Sequence, residues 1–132
     1  MTIKNIFVVG AGTMGNGIAQ VAATSGYQVT CMDVMPVALD KAKATIAKST
    51  AKLVEKGTLT PDQKAAAEKI SFVSNYDDLA KADFVIEAAT ENPELKFKIF
   101  KELDAKAREG VIIASNTSSI SITKSLFKKS VL

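Results

Sequence analysis

Short apolar runs alternate along this chain with longer stretches whose apolar residues recur at helical spacing. That alternation is the pattern of βαβ units around a parallel sheet. Ile3 to Val9 predicts a first strand that runs straight into glycines. A helix is expected from about Met14 to Thr24, with Ile18, Val21 and Ala22 as its apolar stripe. Gly26 stands where a left-handed helix cap is wanted. Gln28 to Met32 predicts a second strand, followed by Asp33. Pro36 opens a long helix to about Glu55, striped by Leu39, Ala42, Ile46 and Leu53 with lysines mostly facing away. Thr60-Pro61 starts a short helix, with Thr60 as N-cap and Pro61 in the first helical position. Ile70 to Val73 and Phe84 to Glu87 predict strands three and four, and Val85 and Ile86 suit a strand buried on both faces. Asn92-Pro93 caps a last helix carrying Ile99, Phe100, Leu103 and Ala107, and Val111 to Ala114 predicts strand five. The expected order 3-2-1-4-5 leaves the edge of strand five bare, which predicts self-association through that edge.

The turn after strand one carries the first chemistry. Gly10, Gly12 and Gly15 form G-x-G-x-x-G, with Ala11 between the first two and Thr13 and Met14 between the last two. The motif is weak alone, but here it follows a strand and opens a helix. Gly10 permits the tight turn, Gly12 leaves room for a pyrophosphate, and Gly15 lets helix and strand pack closely. The helix N-terminus then turns its unpaired N–H groups and positive dipole end toward the phosphates. Asp33 follows strand two, 23 residues after Gly10. A carboxylate there accepts hydrogen bonds from both adenosine ribose hydroxyls and repels a 2′-phosphate, so NAD is preferred to NADP. The competing reading makes Asp33 the N-cap of the helix that Pro36 opens. The fold class is therefore α/β: a Rossmann-type doubly wound parallel sheet in three layers, with a long helical excursion after strand two.

Composition narrows the function classes. The 132 residues suit one domain, and 47% hydrophobic with 23% charged residues fits a globular chain. The net charge of +3 is spread along helices instead of clustering, which argues against nucleic-acid binding. No apolar stretch approaches the ~20 residues of a membrane helix. The single cysteine, Cys31, lies in an apolar run and reads as a buried thiol in a reducing, cytoplasmic setting. No metal-ligand set is present.

Three segments together resemble the N-terminal domain of the L-3-hydroxyacyl-CoA dehydrogenases, the 3-hydroxybutyryl-CoA dehydrogenases included. They are Gly10-Ala-Gly-Thr-Met-Gly-Asn-Gly-Ile-Ala19 with Asp33, Val85-Ile-Glu-Ala-Ala-Thr-Glu-Asn92, and Ala114-Ser-Asn-Thr-Ser-Ser-Ile120. The resemblance covers about residues 1–124 and implies an NAD-binding domain of an oxidoreductase in fatty acid and butanoate metabolism. Glu91 and Lys96 match residues lining the nicotinamide end of the cofactor site. Ser118 matches a serine between nicotinamide and substrate, with Asn116 supporting it in the same turn. Ser49 and Lys56 match contacts to coenzyme A. Spacing agrees: Glu91 and Asn116 to Ser119 follow the carboxyl ends of strands four and five, and Ser49 and Lys56 share one helix face. Glu87 is expected to be structural.

Residues 125–132 depart from the family pattern as a mildly basic tail. The family continues into a strand with a catalytic histidine and then a helical domain. This sequence contains no histidine, so the catalytic base is expected to be absent and the chain alone to bind NAD without efficient turnover. The alternatives are a non-catalytic dinucleotide-binding module and a related 3-hydroxyacid dehydrogenase.

Overall fold

The computed structural model describes residues 3–89 and 92–115 and the backbone of 130–131. Its elements in chain order are β1 (Asn5–Val9), α1 (Thr13–Thr24), β2 (Gln28–Met32), α2 (Pro36–Glu55), α3 (Pro61–Glu68), β3 (Ser71–Val73), a 3-10 helix (Asp77–Lys81), β4 (Phe84–Glu87), α4 (Pro93–Lys106), β5 (Ile112–Ser115) and β6 (Ser130–Val131). The strands form one parallel sheet in the order β3-β2-β1-β4-β5-β6. β1 sits centrally, and β1 to β5 match the expected order.

Two cores account for the three layers. Side chains alternate across a strand, so β1 sends Ile6 and Val8 to one face and Phe7 and Val9 to the other. On the first face they meet Ala19, Ala22 and Ala23 of α1, Ala42 and Ile46 of α2, and Ala67 of α3. On the second they meet Leu79 of the 3-10 helix and Phe100 and Leu103 of α4. A parallel sheet covered on both faces explains why the strands read as nearly continuous apolar runs.

Local chemistry sets the helix ends. Thr60 and Gln63 form a reciprocal capping box at α3, and Asn92 accepts from the Glu94 and Leu95 amides at α4. Gly26 adopts φ +102°, the left-handed conformation expected just past α1.

Three expectations need correction. The buried stripe of α1 is Gly15, Ala19, Ala22 and Ala23, while Val21 is 65% exposed. At 100° per residue Val21 cannot share the face of Ala19, and small residues win that face because α1 packs closely on the sheet. In α2, the buried positions are Ala42, Ile46 and Thr50, and Leu53 is half-buried; the Thr50 hydroxyl donates to the Ile46 carbonyl at 2.8 Å. Finally, β6 pairs Ser130 with Ile112 and Val131 with Ile113. The edge of β5 is therefore covered there, and the bare edge on which self-association was expected is not present over those residues.

Candidate dinucleotide-binding site

The turn from β1 to α1 shows why glycines stand where they do. Gly10 has φ +103°, and a Cβ on it would lie 2.6 Å from Ala89 Cα. A Cβ on Gly15 would lie 1.7 Å from the Gly10 carbonyl oxygen. Both glycines are demanded by the fold. Gly12 is different: it caps α1 with φ −68° and ψ −168°, an ordinary extended conformation, and a Cβ there meets nothing within 4 Å. The folded chain does not need glycine at this position, and the space in front of the helix N-terminus is open. The first N–H groups of α1 lack intrahelical acceptors by geometry, and its first turn carries no acid to compete with an anion.

Asp33 is half-buried just past the C-terminal end of β2. Its Oδ2 accepts from the Ala11 amide at 2.9 Å and its Oδ1 from the Met35 amide at 2.9 Å. The N-cap of α2 is Met35, and no side chain caps that helix. Asp33 therefore makes an Asx-type turn and braces the glycine turn from the neighbouring strand. Carboxylate oxygens have lone pairs beyond these two bonds, so ribose hydroxyls can still be accepted. Val34, Met35 and Val37 follow, all exposed and uncharged, and offer no partner for a 2′-phosphate.

A cleft of about 850 Å³ runs from Gly10 and Asp33 past Tyr76 to Leu95 and Ile99 of α4. It lies outside the carboxyl ends of β1 to β3, at the point where strand order reverses. Tyr76 stacks on Phe7 with ring centroids 6.2 Å apart, and Lys106 Nζ lies 5.2 Å from its ring centroid. Burial, with the nearby charges of Glu102 and Glu87, pushes the Tyr76 hydroxyl up to about 12, so it stays protonated at neutral pH. The turn, its open Gly12 and the cleft together fit a dinucleotide.

Of the other expected site residues, Glu91, Asn116 and Ser118 lie outside the described residues. Thr13 and Met14 stand in the first turn of α1, both exposed beside the open space. Lys96 is buried in the first turn of α4. Its ammonium pairs with Glu87 and lies 3.2 Å from Ser115 Oγ. Ser49 and Lys56 sit on α2 and at its C-terminal cap, and neither lines the cleft. Ser49 Oγ accepts from Gln20 Nε2 at 3.1 Å, and Lys56 is exposed.

Two features escaped the sequence reading: the bond from the Ala11 amide to Asp33, and the grouping of Glu87, Lys96 and Ser115. The second left a signal, because Glu87 is an acid in a strand otherwise buried on both faces. Among the described residues, no cluster of side chains could hold a metal ion and no helix is long and apolar enough to cross a membrane.

A parallel sheet wound on both faces, with a glycine turn at β1 and an acid ending β2, defines a nicotinamide-dinucleotide-binding domain of Rossmann type. Comparison with known proteins makes this particular. The family model for the NAD-binding domain of 3-hydroxyacyl-CoA dehydrogenase matches residues 5–129, and the chain belongs to that family. It is 47% identical over 116 residues to a probable 3-hydroxybutyryl-CoA dehydrogenase of Deinococcus radiodurans, covering 88% of this chain and 42% of that protein. It is 39% identical over 122 residues to a fatty acid oxidation complex subunit alpha of Psychrobacter sp., covering 92% of this chain and 17% of that one. Among solved structures, (S)-3-hydroxybutyryl-CoA dehydrogenase from Ralstonia eutropha superposes with a TM-score of 0.83 at 50% identity, over 89% of this chain and 42% of that one. The chain thus spans less than half the length of these relatives.

Proposed function

We propose that this chain is the cofactor half of an enzyme that interconverts L-3-hydroxyacyl-CoA, of short chain such as 3-hydroxybutyryl-CoA, and 3-ketoacyl-CoA. The observation that carries the reading is the phosphate turn: an open Gly12 at the head of α1, braced by a carboxylate ending β2. NAD bound there would supply the hydride acceptor. Gly10, Gly12, Thr13, Met14 and Gly15 hold the pyrophosphate, and Asp33 accepts the adenosine ribose hydroxyls. Glu91 and Lys96 serve the nicotinamide half. Ser118 and Asn116 stand between nicotinamide and substrate, and Ser49 and Lys56 take the coenzyme A portion. The names of the relatives support acyl-CoA as the substrate class.

The 132 residues contain no histidine, and a positioned base contributes ~10²–10⁴-fold to such proton transfers. These residues alone therefore bind NAD without enzyme-like turnover. The competing reading is a binding-only module. Calorimetry with NAD and NADP, followed by an NADH absorbance assay with 3-hydroxybutyryl-CoA, tests the proposal. NAD preference with negligible turnover is expected. Equal affinity for the two dinucleotides would refute the cofactor assignment, and ordinary dehydrogenase turnover would show that the catalytic base lies elsewhere. Competition by acyl-CoA for the Ser49–Lys56 face separates the dehydrogenase from the module.

A further inference from the structure

Glu87 ends β4, in register with Val9 of β1 on one side and Ser115 of β5 on the other. Its side chain is fully buried and that of its partner Lys96 is 1% exposed. Burying such a pair is often no better for stability than an apolar pair of the same volume. The surroundings would accept one, since Val85, Phe100 and Ile113 are buried nearby on the same strands and helix. What the ion pair adds is direction. Glu87 Oε1 takes the Lys96 ammonium and the Ser115 hydroxyl, the latter at 3.2 Å. Glu87 Oε2 accepts the Ala89 amide at 2.7 Å. Ala89 in turn lies against Gly10, so close that a Cβ on Gly10 would be 2.6 Å from Ala89 Cα. One carboxylate therefore ties together the start of α4, the end of β5 and the segment leaving β4, and through that segment it reaches the phosphate turn.

This grouping lies on the β4–β5 side of the point where strand order reverses. The adenosine half belongs to the other side, where Asp33 ends β2. A dinucleotide laid across the carboxyl edge puts its nicotinamide half over β4 and β5. We propose that Glu87 is a positioning residue for that half: its carboxylate aims the Lys96 ammonium and fixes the Ala88–Ala89 backbone at the cofactor's nicotinamide end. The inference rests on the reading above that Lys96 serves the nicotinamide half. An ammonium has three donors; Glu87 and Ser115 set the direction of two, and with them the orientation of the whole group.

The test compares two ligands that share the adenosine half, NAD and ADP, by calorimetry, together with thermal melting. The proteins are the parent, Glu87→Gln, Lys96→Met, and the double variant that carries both. If the parent itself fails to bind NAD, the cofactor reading falls before this proposal is reached. In Glu87→Gln, NAD affinity is expected to drop about tenfold, the loss of roughly one well-placed hydrogen bond. ADP affinity is expected to fall by clearly less, because ADP lacks the nicotinamide half that the Lys96 ammonium serves. If Glu87 acts through Lys96, the double variant loses no more NAD affinity than Lys96→Met alone, and its melting temperature returns toward that of the parent. A Glu87 that acted independently of Lys96 would add its own loss to that of Lys96→Met. Additive losses in the double variant, or equal losses for NAD and ADP in Glu87→Gln, overturn the proposal. If Glu87→Gln does not fold, Glu87→Asp, which keeps the charge and shortens its reach, takes its place in the same comparison.

Discussion

Replacing Gly12 by valine should abolish NAD binding and leave the domain folded. The backbone at Gly12, φ −68° and ψ −168°, is one that valine adopts without strain. A Cβ there meets no atom within 4 Å, so no contact is broken. The cost to folding is the loss of glycine at a helix N-cap, about 1 kcal/mol or less, which lowers the melting temperature by roughly 3–6 °C in a domain of this size. The cost to binding is larger. Two isopropyl methyls occupy the space in front of the α1 amides, and each charge-assisted bond lost there is worth about 1.5–3 kcal/mol. Losing even two of them predicts at least ~10²-fold weaker NAD.

Gly15→Ala supplies the opposite case. Its Cβ would sit 1.7 Å from the Gly10 carbonyl oxygen, so α1 must move off β1, and the domain should be destabilised by more than about 3 kcal/mol. Calorimetry and thermal melting on the two variants separate a ligand glycine from a fold glycine. Retained NAD affinity in Gly12→Val would show that the turn does not hold phosphate. A stability loss in Gly12→Val as large as in Gly15→Ala would show that the open space is not open.

Asp33→Ala should weaken NAD and narrow its advantage over NADP, read by calorimetry. It should also lower the melting temperature, since the Ala11 and Met35 amides both lose their acceptor. Asp83 accepts from the Asn5 and Lys4 amides and from Arg108, which hold its carboxyl down at about 2. Its folded value lies below the unfolded one, so its contribution is present above about pH 4 and lost as pH falls through about 2. Asp83→Asn should therefore melt lower than the parent at neutral pH, with the gap closing in acid; a gap independent of pH would contradict this. Burial, with the charge of Asp33 nearby, pushes the Cys31 thiol up to about 12. Alkylation of native protein at pH 8 should be very slow and become fast on unfolding, and rapid native labelling would refute the buried placement.

Most of the fold was legible because local signals and periodicity agreed. Thr60-Pro61 and Asn92-Pro93 each announce a helix start, and both helices begin at those prolines. Two strands and one helix, β2, β4 and α2, fall on the expected residues. The misses come from tertiary packing. Apolar character alone placed Val21 inside, but close packing of α1 selected alanines and glycine for the buried face. The pairing of Ser130–Val131 with β5 joins segments far apart in sequence, and nothing local to residues 125–132 announces it. At the site, the glycines and Asp33 were readable because their spacing is fixed by one βαβ unit. Glu87 was read as structural because an acid at a strand end has many uses, and its partners lie 9 and 28 residues further on.

The two acids have a common logic that only the sheet order brings out. Asp33 and Glu87 end the strands on either side of β1, and both reach toward the turn that leaves β1. Asp33 holds it directly, through the Ala11 amide. Glu87 holds it indirectly, through Ala89, whose backbone presses on Gly10. A phosphate-binding turn must keep several N–H groups aimed at an empty space, and a glycine-rich segment left to itself would lose that arrangement to conformational entropy. Fixing the turn before the ligand arrives removes that ordering cost from binding. The central strand supplies the turn and its two neighbours supply the braces; on the proposed reading, each brace lies beside the half of the cofactor that its own strand serves.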